Sequence, residues 1–220
     1  MAPLKKASLV DQLYNQIKNN IINLSYPLGS KLNVNELQGI YGVSSTPLRE
    51  ALARLQAEGL IIYENNVGAR VIDLEPKDVL DIHGLVLTMH KMAVRLAMEN
   101  ADHQLMADEM AGYVKGYQAA RSADVEIRNI ADFIGTFYRH CGNTRLDNSM
   151  KGIQGQQLLL RYLYRRQLGA RGDKADHFAK IEKAVRAGNT ERILEILSAN
   201  YERGTATLMA ALEGRKKTAG

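Results

Sequence analysis

The most constraining stretch of this sequence is a helix start at residues 44–47 followed at once by regularly spaced leucines. Ser44-Ser45-Thr46-Pro47 offers hydroxyls to the free backbone N–H groups of a first turn, and a first turn tolerates proline. The leucines that follow at spacings of four and three are Leu48, Leu52 and Leu55. This spacing predicts an amphipathic helix to about residue 57. The residues left on its outer face are Thr46, Arg49 and Ala53.

Two helices precede this segment and a hairpin follows it. Apolar spacing predicts a helix over residues 8–24 and a second over residues 33–40, which ends before Gly42. The apolar positions are Val10, Leu13, Ile17, Ile21, Leu32, Leu37 and Ile40. Residues 60–63 and 69–72 are β-rich, and the loop between them contains Asn65, Asn66 and Gly68. Three helices and a hairpin are the pattern of a winged helix-turn-helix that reads the major groove of DNA.

The charge distribution supports an anionic partner only weakly. The chain carries a net charge of +5 with an isoelectric point near 9.2. In residues 1–75, however, Lys plus Arg equals Asp plus Glu, with seven of each. The prediction of DNA binding therefore depends on pattern and placement and not on bulk charge.

From residue 78 onward the sequence shows helical spacing and no strand pattern. The predicted helices cover residues 78–99, 103–120, 125–141, 144–168, 174–188 and 190–213. We therefore predict a mostly α fold, in which an N-terminal winged helix-turn-helix (three helices plus a β-hairpin) is followed by an all-α helical bundle. The predicted parts are a DNA-binding domain at 1–73, a linker at 74–77, an all-helical domain at 78–214 and a basic tail at 215–220; the family resemblance given in the next paragraph implies that the helical domain binds an effector and dimerises.

The first domain resembles the GntR family of bacterial regulators, in its FadR-like branch with an FCD effector domain. The resemblance lies in Leu37, Tyr41-Gly42-Val43-Ser44-Ser45-Thr46-Pro47-Leu48-Arg49-Glu50-Ala51-Leu52, Leu55, Glu58-Gly59-Leu60, Gly68 and Val71. The second domain is similar to FCD domains through Phe133 followed by Asn143, and through the segment at residues 184–189. The resemblance implies operator binding as a homodimer, and repression is the family's usual mode.

The resemblance also implies which residues contact DNA. It assigns this role to Ser44, Thr46 and Arg49 of the third helix, and it implies that Gly68 lets the hairpin tip approach the minor groove. At Ser45 and Asn35 the family usually has arginine. Two cationic contacts are missing there, and Lys31 and Arg70 are candidate substitutes. We expect a shallower salt dependence of binding, by up to about 0.9 for each missing phosphate contact.

The family's usual divalent metal site, built from one Asp and three His, is not predicted here. The aligned positions hold Ile130, Ile134, Phe178 and Asn200. Only His177 would contribute, if the alignment shifted by one residue. We therefore predict no metal and no cofactor. Candidate effector-binding residues are His83, His90, Tyr138, Arg161 and Asn200.

An inward arginine in this domain would favour a carboxylate or phosphate effector, whereas an outward one would belong to a solvated face or a dimer rim. For Arg161, Arg165 and Arg166 the sequence leaves both alternatives open.

We predict a cytoplasmic regulator that is not an enzyme and has no membrane contact. Its predicted partners are double-stranded operator DNA, a second copy and a small organic effector. In an alternative, the helical domain senses no ligand and serves as a protein-contact module. A histidine-bearing hydrolase is disfavoured because the sequence shows no nucleophile–base pair.

Overall fold

A computed structural model of the chain describes residues 8–64, 68–169 and 176–218. The N-terminal elements are α1 (Leu9–Ile22), β1 (Lys31–Leu32), α2 (Val34–Tyr41), α3 (Ser45–Ala57), β2 (Ile61–Glu64) and β3 (Gly68–Val71). The helices that follow are α4 (Pro76–Asn100), α5 (His103–Ala119), α6 (Ala123–His140), α7 (Thr144–Gln167), α8 (His177–Arg186) and α9 (Thr190–Thr218). This confirms the predicted fold class.

The described residues form two compact units. The first contains the residues up to Leu74 together with Gly152–Leu159 of α7, and the second contains Glu75–Lys151 and the residues from Leu160 onward. Within the described part of the chain, no helix is both long enough and apolar enough to cross a membrane.

In the first unit, α3 packs against α1 and α2 through its leucine face. The side chains of Leu48, Leu52 and Leu55 are completely buried, as are Ile17 and Ile21 of α1. The three strands form an antiparallel sheet in the order β1-β3-β2. Burying these aliphatic side chains is the main source of stability for this unit.

Two expectations for this unit were wrong. Ser44 stands at the N-cap of α3 in an extended conformation, but its hydroxyl makes no capping hydrogen bond. Ile40 was expected among the apolar core positions, yet 67% of its surface is exposed because it falls on the outer side of the last turn of α2. The predicted hairpin forms, although its turn residues 65–67 lie outside the described residues.

In the second unit, α4 packs against α6 and α9, and α5 packs against α6 and α8. Aromatic rings connect three of these helices. Phe178 of α8 lies edge-on to Phe133 of α6 at 5.1 Å and to Tyr117 of α5 at 5.2 Å between ring centroids. Such pairs add to the stability that area burial provides.

Most predicted helix ends in this unit agree with the structure to within three residues. The exception is α9, which continues to Thr218 where the prediction ended at residue 213. Part of the predicted basic tail is therefore helical. Residues 219–220 of that tail, and residues 174–175 of the predicted eighth helix, lie outside the described residues.

Candidate functional site

The first candidate site is the outer face of α3. This face does not carry the buried leucines and is exposed to solvent. The side chains of Ser44, Thr46, Arg49 and Ala53 are all exposed, and Ser45 is half-buried. Among the described residues, none of the three hydroxyls and no atom of the Arg49 side chain has a hydrogen-bond or ion-pair partner. A helix N-terminus with free hydroxyls and a free arginine is suited to bind phosphate oxygens and base edges.

The second arginine of α3, Arg54, contacts residues of α1. Arg54 Nη1 lies 2.7 Å from Asp11 Oδ1 of α1, and its guanidinium lies 4.2 Å from the centre of the Tyr14 ring. On the same side, Lys18 Nζ lies 2.6 Å from Glu58 Oε2. These contacts attach α3 to α1 and leave Arg49 as a cation on the outer face.

The sheet places two more cations next to each other. Lys31 of β1 is directly opposite Arg70 of β3, and like charges in such a pair are destabilising unless an anion compensates. Arg70 Nη1 donates to the Gly29 carbonyl at 2.8 Å, and its Nε lies 3.5 Å from Glu64 Oε2. Lys31 is exposed. Of the two, Lys31 is the cation free to meet a phosphate.

The remaining predicted DNA contacts are also near this surface. Asn35 is exposed in the first turn of α2, where its backbone N–H donates to Asn33 Oδ1. Gly68 begins β3 with a φ of +94°, a conformation that favours glycine. The DNA-contact role of every residue in this set remains a prediction.

The second candidate site is a set of polar side chains inside the helical unit, which we call the polar cluster. It consists of His83 and His90 of α4, Tyr138 of α6, Arg161 of α7, and Tyr201 and Thr205 of α9. His83 Nδ1 lies 2.7 Å from Thr205 Oγ1, and His90 Nδ1 lies 2.7 Å from the Tyr138 hydroxyl. The Tyr201 ring lies edge-on to both histidine rings, at 5.2 and 5.7 Å between centroids.

The environment keeps both histidines neutral. Burial, followed by the charge of Arg161, lowers the pKa of His83 to about 4 and the pKa of His90 to about 3. Burial also lowers the pKa of the Arg161 guanidinium, opposed by its charge interaction and hydrogen bond with Tyr201 and by its charge interaction with Tyr138. An arginine nevertheless stays charged at any physiological pH. The cluster therefore contains one fixed positive charge among neutral groups.

This arrangement should make the helical unit less stable in acid. Because the folded state holds the pKa of His90 below its ordinary 6.5, the unfolded chain binds more protons once the pH falls below about 6.5. The stability is fully present above that pH and is lost as the pH falls toward about 3. As the pH falls below 6.5, we expect the free energy of unfolding to decrease with a slope that approaches about 1.4 kcal/mol per pH unit for each neutral histidine.

Urea unfolding between about pH 7 and 5 measures this slope. A His90→Gln variant is the control, since it removes one of the two titrating groups while keeping a polar side chain. The variant should lose about half of the histidine contribution to the slope of unfolding free energy against pH. A slope equal to that of the unchanged protein would contradict the assignment.

Not every predicted effector residue joins the cluster. Asn200 accepts a hydrogen bond from Arg203 at 2.9 Å on the exposed side of α9, and its neighbour Tyr201 points to the histidines instead. Tyr201 and Thr205 were missed from the sequence because tyrosine and threonine on a helix carry no local signal of facing inward. Of the other two arginines of α7 considered in the sequence analysis, Arg165 pairs with Glu126 and Arg166 is exposed.

The positions aligned with the family's metal ligands do not fit a metal ion. Ile134 and Phe178 are buried apolar side chains, and Phe178 belongs to the aromatic contacts of α5 and α6. His177, the possible rescue, lies with its ring 4.0 Å from that of Phe178. Within residues 8–64, 68–169 and 176–218, no three His, Cys, Asp or Glu side chains come together as a metal site requires.

The fold and the exposed start of α3 define a winged helix-turn-helix protein with a helical C-terminal domain. The sequence profile described as "Bacterial regulatory proteins, gntR family" matches residues 9–71, and the FCD domain profile matches residues 81–203. The chain belongs to the GntR family and carries an FCD domain. This confirms the predicted family.

Relatives with names agree with this assignment. The chain is 33% identical over 93 residues to an uncharacterized HTH-type transcriptional regulator, YdhC, of Bacillus subtilis, covering 42% of each chain. It is 35% identical over 98 residues to the HTH-type transcriptional repressor GlaR of Escherichia coli, covering 44% of each. The matches thus span less than half the length of these relatives.

A solved structure shows the same fold. The E. coli McbR/YncC structure aligns with 94% of this chain and 99% of the other, with a TM-score of 0.76 and 21% identity. The family and the named relatives are transcriptional regulators and not enzymes, which confirms the prediction that this chain is not an enzyme.

Proposed function

We propose that this protein is a transcriptional repressor that binds operator DNA through α3 and responds to a small effector in its helical domain. The observation that supports DNA binding most is the outer face of α3, where Ser44, Thr46 and Arg49 are exposed and have no partners among the described residues. An exposed arginine near a helix N-terminus can reach a guanine edge while the hydroxyls hold phosphates.

The polar cluster supports the effector part of the proposal. Arg161 carries a charge that no described carboxylate neutralises within 4 Å, and a partly buried unpaired charge is costly unless a ligand completes it. Four of the six cluster residues (His83, Arg161, Tyr201 and Thr205) are only partly buried, so a ligand can reach them. Binding there would shift the protein between forms of different operator affinity.

We further propose that the protein acts as a homodimer in the cytoplasm, where its operator lies. Two copies related by a two-fold axis would present two α3 helices to half-sites about one helical turn apart. Selection of genomic fragments with the purified protein, followed by footprinting, tests this. We expect a short two-fold symmetric footprint. An asymmetric site occupied by one copy would contradict the dimer, and no enrichment of any fragment would contradict operator binding.

Lys31 provides a separate test of binding to the phosphate backbone of DNA. Lys31→Ala should weaken binding to operator and non-operator DNA alike, because a lysine on a phosphate carries no sequence information. The slope of log affinity against log salt concentration should decrease by up to about 0.9 for each phosphate charge that the variant no longer neutralises. Lys77→Ala, which removes an exposed lysine paired with Asp81 on α4, is the control with the same change in charge. Equal slopes for the two variants would exclude Lys31 from the DNA surface.

A further inference from the structure

A short segment in the middle of α7 belongs to the first unit. Residues Gly152–Leu159 are part of the compact unit formed by the residues up to Leu74, whereas the parts of α7 before and after them belong to the second unit. The segment also lies outside the GntR-family profile, whose match ends at residue 71. About two turns of α7 are therefore an addition to the first unit that its N-terminal sequence does not contain.

This segment contacts the turn that ends α3 and leads into β2. Gln156 Nε2 donates a hydrogen bond to the Gly59 carbonyl at 3.1 Å. Gly59 has a φ of +66°, which favours glycine, and a Cβ atom there would lie 2.0 Å from Gln156 Nε2. The Leu60 N–H donates to the Leu55 carbonyl at 3.0 Å, which fixes the turn to the last turn of α3. A movement of this turn therefore moves the C-terminal end of α3.

Gly155 allows α7 to approach the turn closely. It is buried, and a Cβ atom at this position would lie 2.9 Å from Leu60 Cδ1 and 3.1 Å from Glu58 Oε2. Leu60 is completely buried, so its side chain has little room to move away. Gly152, three residues earlier, is exposed, and a Cβ atom there would meet nothing within 4 Å. Because glycine destabilises a helix interior relative to alanine, close packing is the physical reason for glycine at 155.

The same turn is also held by α1. The Glu58 carboxylate that lies near Gly155 accepts hydrogen bonds from Lys18 Nζ at 2.6 Å and from the Tyr14 hydroxyl. The side chains of Lys18 and Glu58 are only 18% and 21% exposed. Contacts from both α1 and α7 thus fix the end of α3.

The position of that end determines where the outer face of α3 lies. Arg49 is nine residues before Glu58, which is about 13.5 Å along the axis of a continuous helix. A hydrogen bond to a base edge requires a donor–acceptor distance of about 2.7–3.2 Å, whereas attraction between a cation and the phosphates tolerates larger displacements. Displacing the turn should therefore weaken the reading of bases more than it weakens binding to phosphates.

We propose that Gly152–Leu159 of α7 is part of the unit that reads the operator, and that Gly155 and Gln156 are positioning residues for Arg49. They act by holding the C-terminal turn of α3. This inference rests on the operator binding of the proposed function and adds residues from outside the DNA-binding sequence profile. It requires no ligand in the helical unit.

Amide hydrogen exchange of the full chain without DNA tests the contact itself. Gly155→Leu places a side chain against Leu60, and the control Gly152→Leu makes the same change where space is open. We expect the amides of Gly59 and Leu60 to exchange about tenfold faster in the Gly155→Leu variant. The control should exchange at the rate of the unchanged protein. Equal exchange in the two variants would overturn the proposal.

The ratio of operator affinity to random-DNA affinity tests the positioning role, with the selected genomic fragment and a scrambled copy as probes. Gly155→Leu should lower affinity for the fragment about tenfold and leave affinity for the scrambled copy nearly unchanged. Gln156→Ala removes a hydrogen bond without adding volume and should lower affinity for the fragment about threefold. Gln154→Ala, at an exposed position of the same segment, is its control and should have no effect.

Gel shifts are run well below the unfolding midpoint of each variant, which circular dichroism establishes. A lower midpoint with an unchanged affinity ratio would show a purely structural contact and would overturn the positioning role. If Gly155→Leu does not fold, Gln156→Ala decides, and exchange rates and affinity ratios equal to those of Gln154→Ala would overturn the proposal. If the unchanged protein prefers no fragment, the proposed function fails, and hydrogen exchange alone decides whether α7 holds α3.

Discussion

Arg49→Ala is expected to abolish sequence-specific operator binding while leaving the fold intact. Arg49 is exposed on α3 and has no partner among the described residues, so its removal costs no internal contact. A bidentate arginine–base contact discriminates by about 1–3 kcal/mol, and a dimer would lose two of them. We expect operator affinity to fall by about 100-fold or more and to approach the affinity for random DNA.

Arg54→Ala is the matched control, because it removes an arginine from the same helix. Arg54 is engaged by Asp11 and Tyr14, so its loss should lower the stability of the first unit slightly and leave operator specificity unchanged. Gel-shift titrations of both variants against operator and scrambled DNA measure the effect. An Arg49→Ala variant that keeps the affinity of the unchanged protein would contradict the proposed reading face.

Phe133→Ala is expected to cause a large loss of stability in the helical unit. Phe133 is 1% exposed, and its ring lies against Phe178 of α8. Truncation to alanine leaves a cavity that these packed helices can fill only in part. Large aromatic-to-alanine changes in cores cost about 3–5 kcal/mol, which is a large fraction of the total stability of a typical domain.

Urea unfolding followed by far-ultraviolet circular dichroism measures this loss, since the second unit consists of helices. Val125→Ala on the same helix is the control, because Val125 is 41% exposed and should lose about 0.5 kcal/mol or less. Equal unfolding midpoints for the Phe133→Ala and Val125→Ala variants would show that the ring contacts between α6 and α8 do not support the unit.

Local sequence patterns predicted well those helices whose structure depends mainly on residues within the same segment. The apolar spacing of Leu13, Ile17 and Ile21 identified α1, and the leucines of α3 identified its buried face. Strand β1 was not predicted, since its two residues pair with Arg70 and Ala69 of a distant strand. A pairing of that kind depends on tertiary contacts that no window of sequence contains.

The polar cluster also depends on tertiary contacts that the sequence alone does not contain. His83, His90, Tyr138 and Arg161 were predicted by chemistry and by resemblance, and the structure brings these four together. Which of three arginines faces inward could not be decided, because the answer depends on Glu126 of α6, which pairs with Arg165. The aligned position on α9 was one residue away from Tyr201, and on a helix one residue turns a side chain by about 100°.

The ratio of operator affinity to random-DNA affinity, measured at physiological salt on the selected fragment and a scrambled copy, tests the central claim most directly. A sequence-specific regulator should bind its operator roughly 10³-fold more tightly or better. A ratio near one, with both affinities falling together as salt rises, would mean that α3 holds phosphates but reads no sequence, and would contradict the proposed function.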